Sequence, residues 1–116
     1  YGHVVGNIVL KEVSNILINS VRRGDIVARY GGEEFGIVIP EVDKEGAFQL
    51  CERIRRNMEE YDFDIGSEII KLTVSIGVFF KDKEEIITGS EIIEKADEEL
   101  YNAKRNGRNR VEINIL

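Results

Sequence analysis

Gly31-Gly32-Glu33-Glu34 is the stretch whose residue types and spacing could do chemistry. β-Prone Ile26, Val27 and Ala28 precede it, and Ile37, Val38 and Ile39 follow. Two glycines at the centre of a two-residue type I′ turn tolerate the positive φ that such a turn requires. The two carboxylates that follow stand where a strand prefers Thr, Val or Tyr. Adjacent like charges repel unless a cation compensates them, and a divalent metal ion does so directly. Spacing alone leaves two readings open. One is a surface hairpin with solvated glutamates. The other is a metal- and phosphate-handling turn, in which the glycines let a ligand approach the backbone and the glutamates hold Mg²⁺. A second concentration of charge, Lys104, Arg105, Arg108 and Arg110, lies towards the C-terminus.

The elements that must position these residues follow from periodicity. Ile8, Val9, Val13, Ile16, Leu17 and Val21 recur at three- and four-residue steps and predict a helix over about 4–22, with Gly24 as its breaker. Strands are expected over 25–30 and 35–39, the second ended by Pro40. Asp43 reads as the N-cap of a helix over 44–60 whose buried stripe is Ala47, Leu50, Cys51, Ile54 and Met58. Residues 62–66 read as a loop. Residues 70–80 read as the strongest strand, covered on both faces. Gly77 within it permits a bulge or the close approach of another backbone. Ser90 can cap a last helix over about 91–105, stopped by Gly107, and 110–115 alternate as a closing strand. The order α-β-β-α-β-α-β predicts an α+β fold with helices packed on a sheet.

A chain of 116 residues with 42% hydrophobic and 33% charged residues suits one globular domain. It has no apolar run long enough for a transmembrane helix and no signal-peptide pattern at its start. Its single cysteine, Cys51, forms no intrachain disulfide, fits a reducing cytoplasm, and reads as a core residue. A net charge of −6 argues against binding a nucleic-acid polymer over a broad surface. It still allows a nucleotide whose phosphates are bridged by metal ions.

Arg29-Tyr30-Gly31-Gly32-Glu33-Glu34-Phe35 resembles the signature of GGDEF domains, the diguanylate cyclases. Tyr1-Gly2-His3-x-x-Gly6 resembles the start of that family's first helix, and 72–78, Leu-Thr-Val-Ser-Ile-Gly-Val, its later core strand. Ala96-Asp97 and Leu100-Tyr101-x-Ala103-Lys104-x-x-Gly107-Arg108-Asn109 resemble its last helix and the turn beyond. Together these blocks cover essentially the whole chain. The resemblance implies a mixed, ferredoxin-like sheet of the nucleotide-cyclase palm type. It also implies condensation of two GTP into cyclic di-GMP with release of pyrophosphate, using Mg²⁺ or Mn²⁺. Two domains meet face to face, so a homodimer is implied for catalysis, in the cytoplasm and without membrane contact from this domain. Glu33 and Glu34 are then the metal ligands and the carboxylates that activate the attacking hydroxyl, with the division between them open. Gly31 and Gly32 let the nucleotide lie over the backbone. Lys104 and Arg108 match positions that hold the terminal phosphates; without the resemblance, compensation of a helix C-terminus accounts for them. His3 matches a position beside the nucleotide. Arg22-x-x-Asp25 stands at the spacing of the inhibitory site where cyclic di-GMP binds, and Arg53 matches its secondary arginine; in isolation Arg22 and Asp25 read as a polar helix end. An arginine can take a guanine edge or phosphate bidentately, and Asp25 can accept from guanine N–H groups.

Two departures from the family pattern stand out. Asn7 occupies the place of an aspartate that contacts the guanine base, and an amide offers one acceptor oxygen where a carboxylate offers two. The family's first core strand, with a metal-binding aspartate, precedes the position of Tyr1. The chain therefore reads as a single incomplete GGDEF domain over 1–116, expected to have negligible cyclase activity by itself. The rival expectation is a regulatory module that binds cyclic di-GMP or GTP without turnover. A dimerisation domain without a ligand is the third.

Overall fold

Among the described residues, three helices built on apolar stripes alternate with short strands. The computed structural model describes residues 2–31, 34–81 and 87–113. In order these form α1 (Gly2–Ser20), β1 (Ile26–Gly31), β2 (Glu34–Val38), α2 (Lys44–Glu60), β3 (Phe63–Asp64), β4 (Ile69–Ile70), β5 (Ile76–Val78), α3 (Gly89–Arg105) and β6 (Val111–Ile113). The architecture is α+β, as the element pattern predicts.

Packing centres on α2. Asp43 caps it, its carboxylate accepting from the Gly46 N–H at 2.7 Å. Ala47, Leu50, Cys51, Ile54 and Met58 are its buried residues, the stripe expected from spacing. Ile54, Met58 and Phe63 are essentially inaccessible to solvent and join Leu17 and Leu50 in one cluster. Burying a side chain of this size stabilises by about 1.5–3 kcal/mol. Val9, Val13 and Ile16 of α1 pack against the cluster, as do Val27, Phe35 and Ile37 of the first hairpin. Ile8, expected in the α1 stripe, is instead exposed.

The strands pair two by two. β1 and β2 are antiparallel, with Ile26 opposite Val38 and Ala28 opposite Gly36. β3 and β4 are antiparallel, and β5 runs parallel to β6 with Ile76 opposite Val111. Of the expected strand over 70–80, only Ile76–Val78 joins a ladder as β5, while Ile70 belongs to β4. Residues 71–75 have no strand partner among the described residues, although Leu72 and Val74 still pack on the core. The expected loop over 62–66 contains β3, because fully buried Phe63 anchors it and Lys71 binds both Asp62 and the Glu60 carbonyl. α1 ends at Ser20 rather than at position 22; Ser20 turns its hydroxyl back to the Ile16 carbonyl at 2.6 Å, and Gly24 follows at φ +97°. The cap of α3 is Thr88, not Ser90: its side chain accepts from the Glu91 N–H at 3.2 Å, the spacing of a capping box. Residues 114–115 of the expected closing strand lie outside the described residues.

β5 and α3 touch backbone to backbone at Gly77. A Cβ there would sit 2.0 Å from the Leu100 nitrogen and 2.4 Å from the Ala96 carbonyl oxygen. Only glycine fits that contact.

Candidate functional site

The tip of the β1–β2 hairpin holds the residues with the clearest chemistry. Arg29 pairs with Phe35 and Gly31 pairs with Glu34, so β1 carries one extra residue, Tyr30, a β-bulge just before the turn. Gly31 is thus a strand residue and not the first central residue of the turn. Gly32 and Glu33 lie outside the described residues. Glu34, at the start of β2, is exposed. Carboxylate oxygens are the donors that Mg²⁺ and Mn²⁺ prefer, so Glu34 fits such an ion. Among the described residues no group of three metal-ligating side chains converges.

The C-terminal end of α3 carries Lys104 and Arg108, both exposed. The chain leaves the helix through a left-handed turn: Gly107 has φ +122°, Arg108 φ +62° and Asn109 φ +44°. Left-handed backbone costs a non-glycine residue about 1–2 kcal/mol, less for Asn. Four hydrogen bonds hold the turn. The Arg108 N–H donates to the Ala103 carbonyl at 2.9 Å, the longer bond of a Schellman cap. Arg110 Nε donates to the Arg108 carbonyl at 3.3 Å. Asn109 is gripped from α2: Arg55 Nη1 donates to its Oδ1 at 3.0 Å, and its Nδ2 donates to Glu59.

Arg55 is itself fixed by Glu52, with Nε to Oε1 at 2.6 Å and Nη2 to Oε2 at 3.2 Å. That bidentate contact is the main cause that holds the Glu52 carboxyl below its ordinary pKa and the Arg55 guanidinium above its own. The Arg55–Asn109 contact was not visible in the sequence. Glu52, Arg55 and Glu59 lie at i, i+3 and i+7, which reads as an ordinary charged helix face.

The third group sits where α1 meets β1. The Arg22 N–H donates to Asp25 Oδ2 at 2.8 Å, and the Arg22 guanidinium reaches both Asp25 oxygens at 3.4 Å. Arg22 Nη2 also donates to the Pro40 carbonyl at 3.0 Å. The Asp25 side chain is 1% exposed and that of Arg22 48%. Arg53 donates to the Ser20 carbonyl, so Arg22, Asp25 and Arg53 converge on the C-terminal end of α1.

Asn7 and His3 stand one turn apart on α1, and Asn7 is exposed. The His3 side chain lies outside what the structure describes. Two open concavities carry none of the expected site residues. One of about 700 Å³ lies on the outer face of α3 by Ile93, Asp97 and Tyr101. The other, of about 370 Å³, lies between α1 and α2 by Ser20, Asn57 and Tyr61.

The family model for the diguanylate cyclase GGDEF domain matches residues 1–110. Diguanylate cyclase A of Treponema denticola is 41% identical over 111 residues, which are 96% of this chain and 30% of that protein. The chain therefore spans under a third of that relative's length. Among solved structures, the diguanylate cyclase SiaD of Pseudomonas aeruginosa, in complex with its activator SiaC, superposes with a TM-score of 0.90 at 32% identity. The match covers 98% of this chain and 43% of that one. The coiled coil and GGDEF domain of DgcB from Caulobacter crescentus, in complex with c-di-GMP, gives a TM-score of 0.89 at 29% identity over 98% of this chain and 60% of that one.

Proposed function

The chain belongs to the diguanylate cyclase GGDEF family, and from that membership we propose that it supplies the catalytic domain of an enzyme that joins two GTP into cyclic di-GMP and releases pyrophosphate. The observation that carries the reading is the intact Gly31-Gly32-Glu33-Glu34-Phe35 block, set on a bulged hairpin inside a family match over residues 1–110. In this reaction a 3′-hydroxyl loses a proton and attacks an α-phosphate in line. Glu33 and Glu34 would hold a divalent cation, Mg²⁺ or Mn²⁺; when bound, it neutralises charge on the phosphates and on the leaving pyrophosphate. The same pair of carboxylates takes the hydroxyl proton. Gly31 and Gly32 leave the backbone open to the nucleotide. Lys104 and Arg108 receive the terminal phosphates, while His3 and Asn7 flank the nucleotide from α1. Each domain binds one GTP, so the reaction requires two copies face to face, in the cytoplasm where GTP is.

The decisive experiment is incubation of the full-length protein with GTP and Mg²⁺ or Mn²⁺, followed by detection of cyclic di-GMP and pyrophosphate. Formation of both is expected, with loss in Glu34→Gln. No cyclic di-GMP with either metal overturns the reading.

A second reading rests on the convergence of Arg22, Asp25 and Arg53. That trio would bind cyclic di-GMP, as feedback inhibitor of the enzyme or as the ligand of a domain without turnover. Calorimetry with cyclic di-GMP tests it: binding is expected in the parent and lost in Arg22→Ala, and equal binding in both removes the site.

A further inference from the structure

The turn that carries Arg108 is held by α2, a helix that carries none of the residues assigned to GTP, although its Arg53 belongs to the trio read as a cyclic di-GMP site. Gly107, Arg108 and Asn109 are consecutive left-handed residues, and Asn109 is the one whose side chain is tied down. Both ends of its amide are used, the oxygen by Arg55 and the nitrogen by Glu59. Glu52 takes Nε and Nη2 of Arg55, and Nη1 donates to Asn109 Oδ1 at 3.0 Å with Glu59 Oε1 3.6 Å away. Only 15% of the Arg55 side chain is exposed. The guanidinium therefore serves the turn and not solvent. Arg108 has its N–H on Ala103 and its carbonyl on Arg110, while its side chain projects outward. A backbone fixed on both sides of an exposed cation is a device for aiming that cation.

We infer that Arg55, braced by Glu52 and acting through Asn109, is a positioning residue that aims Arg108 at the terminal phosphates of the bound nucleotide. The inference rests on the reading of Arg108 as a phosphate ligand. Arg55 itself touches no substrate. Its planar fork is what the arrangement uses: one edge meets a carboxylate and the remaining nitrogen meets an amide. Lysine keeps the charge but cannot make both contacts in fixed directions.

The test is calorimetric titration of the full-length protein with Mg–GTP, with GMP as a competitor that lacks the terminal phosphates, alongside cyclic di-GMP formation. Arg55→Ala, Arg55→Lys and Asn109→Ala are each expected to weaken GTP binding on the order of fivefold, about 1 kcal/mol. GMP affinity is expected to stay unchanged. In an Arg108→Ala background the same substitutions are expected to add less than about twofold, because the cation they aim is gone. Asn109→Ala sits at the turn and leaves the α2 stripe intact, so it serves if Arg55→Ala fails to fold. Equal GTP affinity in parent and variants overturns the inference. So does a parallel loss of GTP and GMP affinity, or full additivity with Arg108→Ala. A parent that binds GTP but forms no cyclic di-GMP overturns the proposed activity alone, and the affinities still decide the role of Arg55. A parent that binds no GTP overturns both.

Discussion

Cys51 lies on the buried stripe of α2, and burial, aided by the neighbouring Glu52 charge, pushes its thiol from 9.0 up to about 11. At neutral pH the group is a protonated core residue, not a nucleophile. Thiol labelling of the native protein at pH 8 is expected to be slow and to become fast on unfolding. The sign of the linkage follows: the folded pKa is the higher one, so this contribution to stability is intact below about pH 9 and lost as pH rises towards 11. Unfolding midpoints across that range check it. Asn7 is the other residue with a sharp expectation. On the proposed reading that Asn7 flanks the nucleotide, its exposed amide would offer guanine one acceptor where a carboxylate offers two. An unpaired donor costs about 1–3 kcal/mol when buried. Asn7→Asp in the full-length protein is expected to lower KM for GTP by about fivefold or more; steady-state kinetics measure it.

At the scale of elements, β5 and α3 meet backbone to backbone at Gly77. A methyl group on residue 77 would meet the Leu100 and Ala96 backbone, which cannot step aside as a side chain can. Gly77→Ala is expected to destabilise by at least about 2 kcal/mol, read as a lower midpoint in urea. Thr88→Ala removes the α3 cap and is expected to cost about 1 kcal/mol. Helices were the legible part of the chain. Asp43 and the α2 stripe stand at their expected places because a cap and a 3.6-residue period are local signals. The strand expected over 70–80 is longer than the ladder over Ile76–Val78 because alternation records which residues are apolar, not whether a partner strand lies alongside. β3 carries a weak sequence signal: Tyr61, Phe63 and Ile65 alternate with Asp62 and Asp64, and the two acids give the run the look of a loop. The Gly31-Gly32 block was legible as a hairpin, but not its bulge, since pairing register depends on both strands. The Arg55–Asn109 link joins distant positions that share no local pattern.

Viewed whole, the molecule is held by a helix more than by a sheet. The three strand pairs do not hydrogen-bond to one another among the described residues, whereas the cluster of Leu50, Ile54, Met58 and Phe63 gathers α1, the first hairpin and the extended run through Leu72 and Val74. Among the described residues no helix is long and apolar enough to cross a membrane. The central place of α2 also sets an order in time. Phe63 follows α2 almost at once, so joining the cluster built on α2 closes only a short loop, while β5 must wait for β6, which lies beyond the whole of α3. Short loops close at lower entropic cost and form early. Ile54→Val is therefore expected to slow folding, and Val78→Ala to speed unfolding and leave the folding rate nearly unchanged. Stopped-flow chevrons of the two variants would show α2 assembling first and the parallel strand pair last.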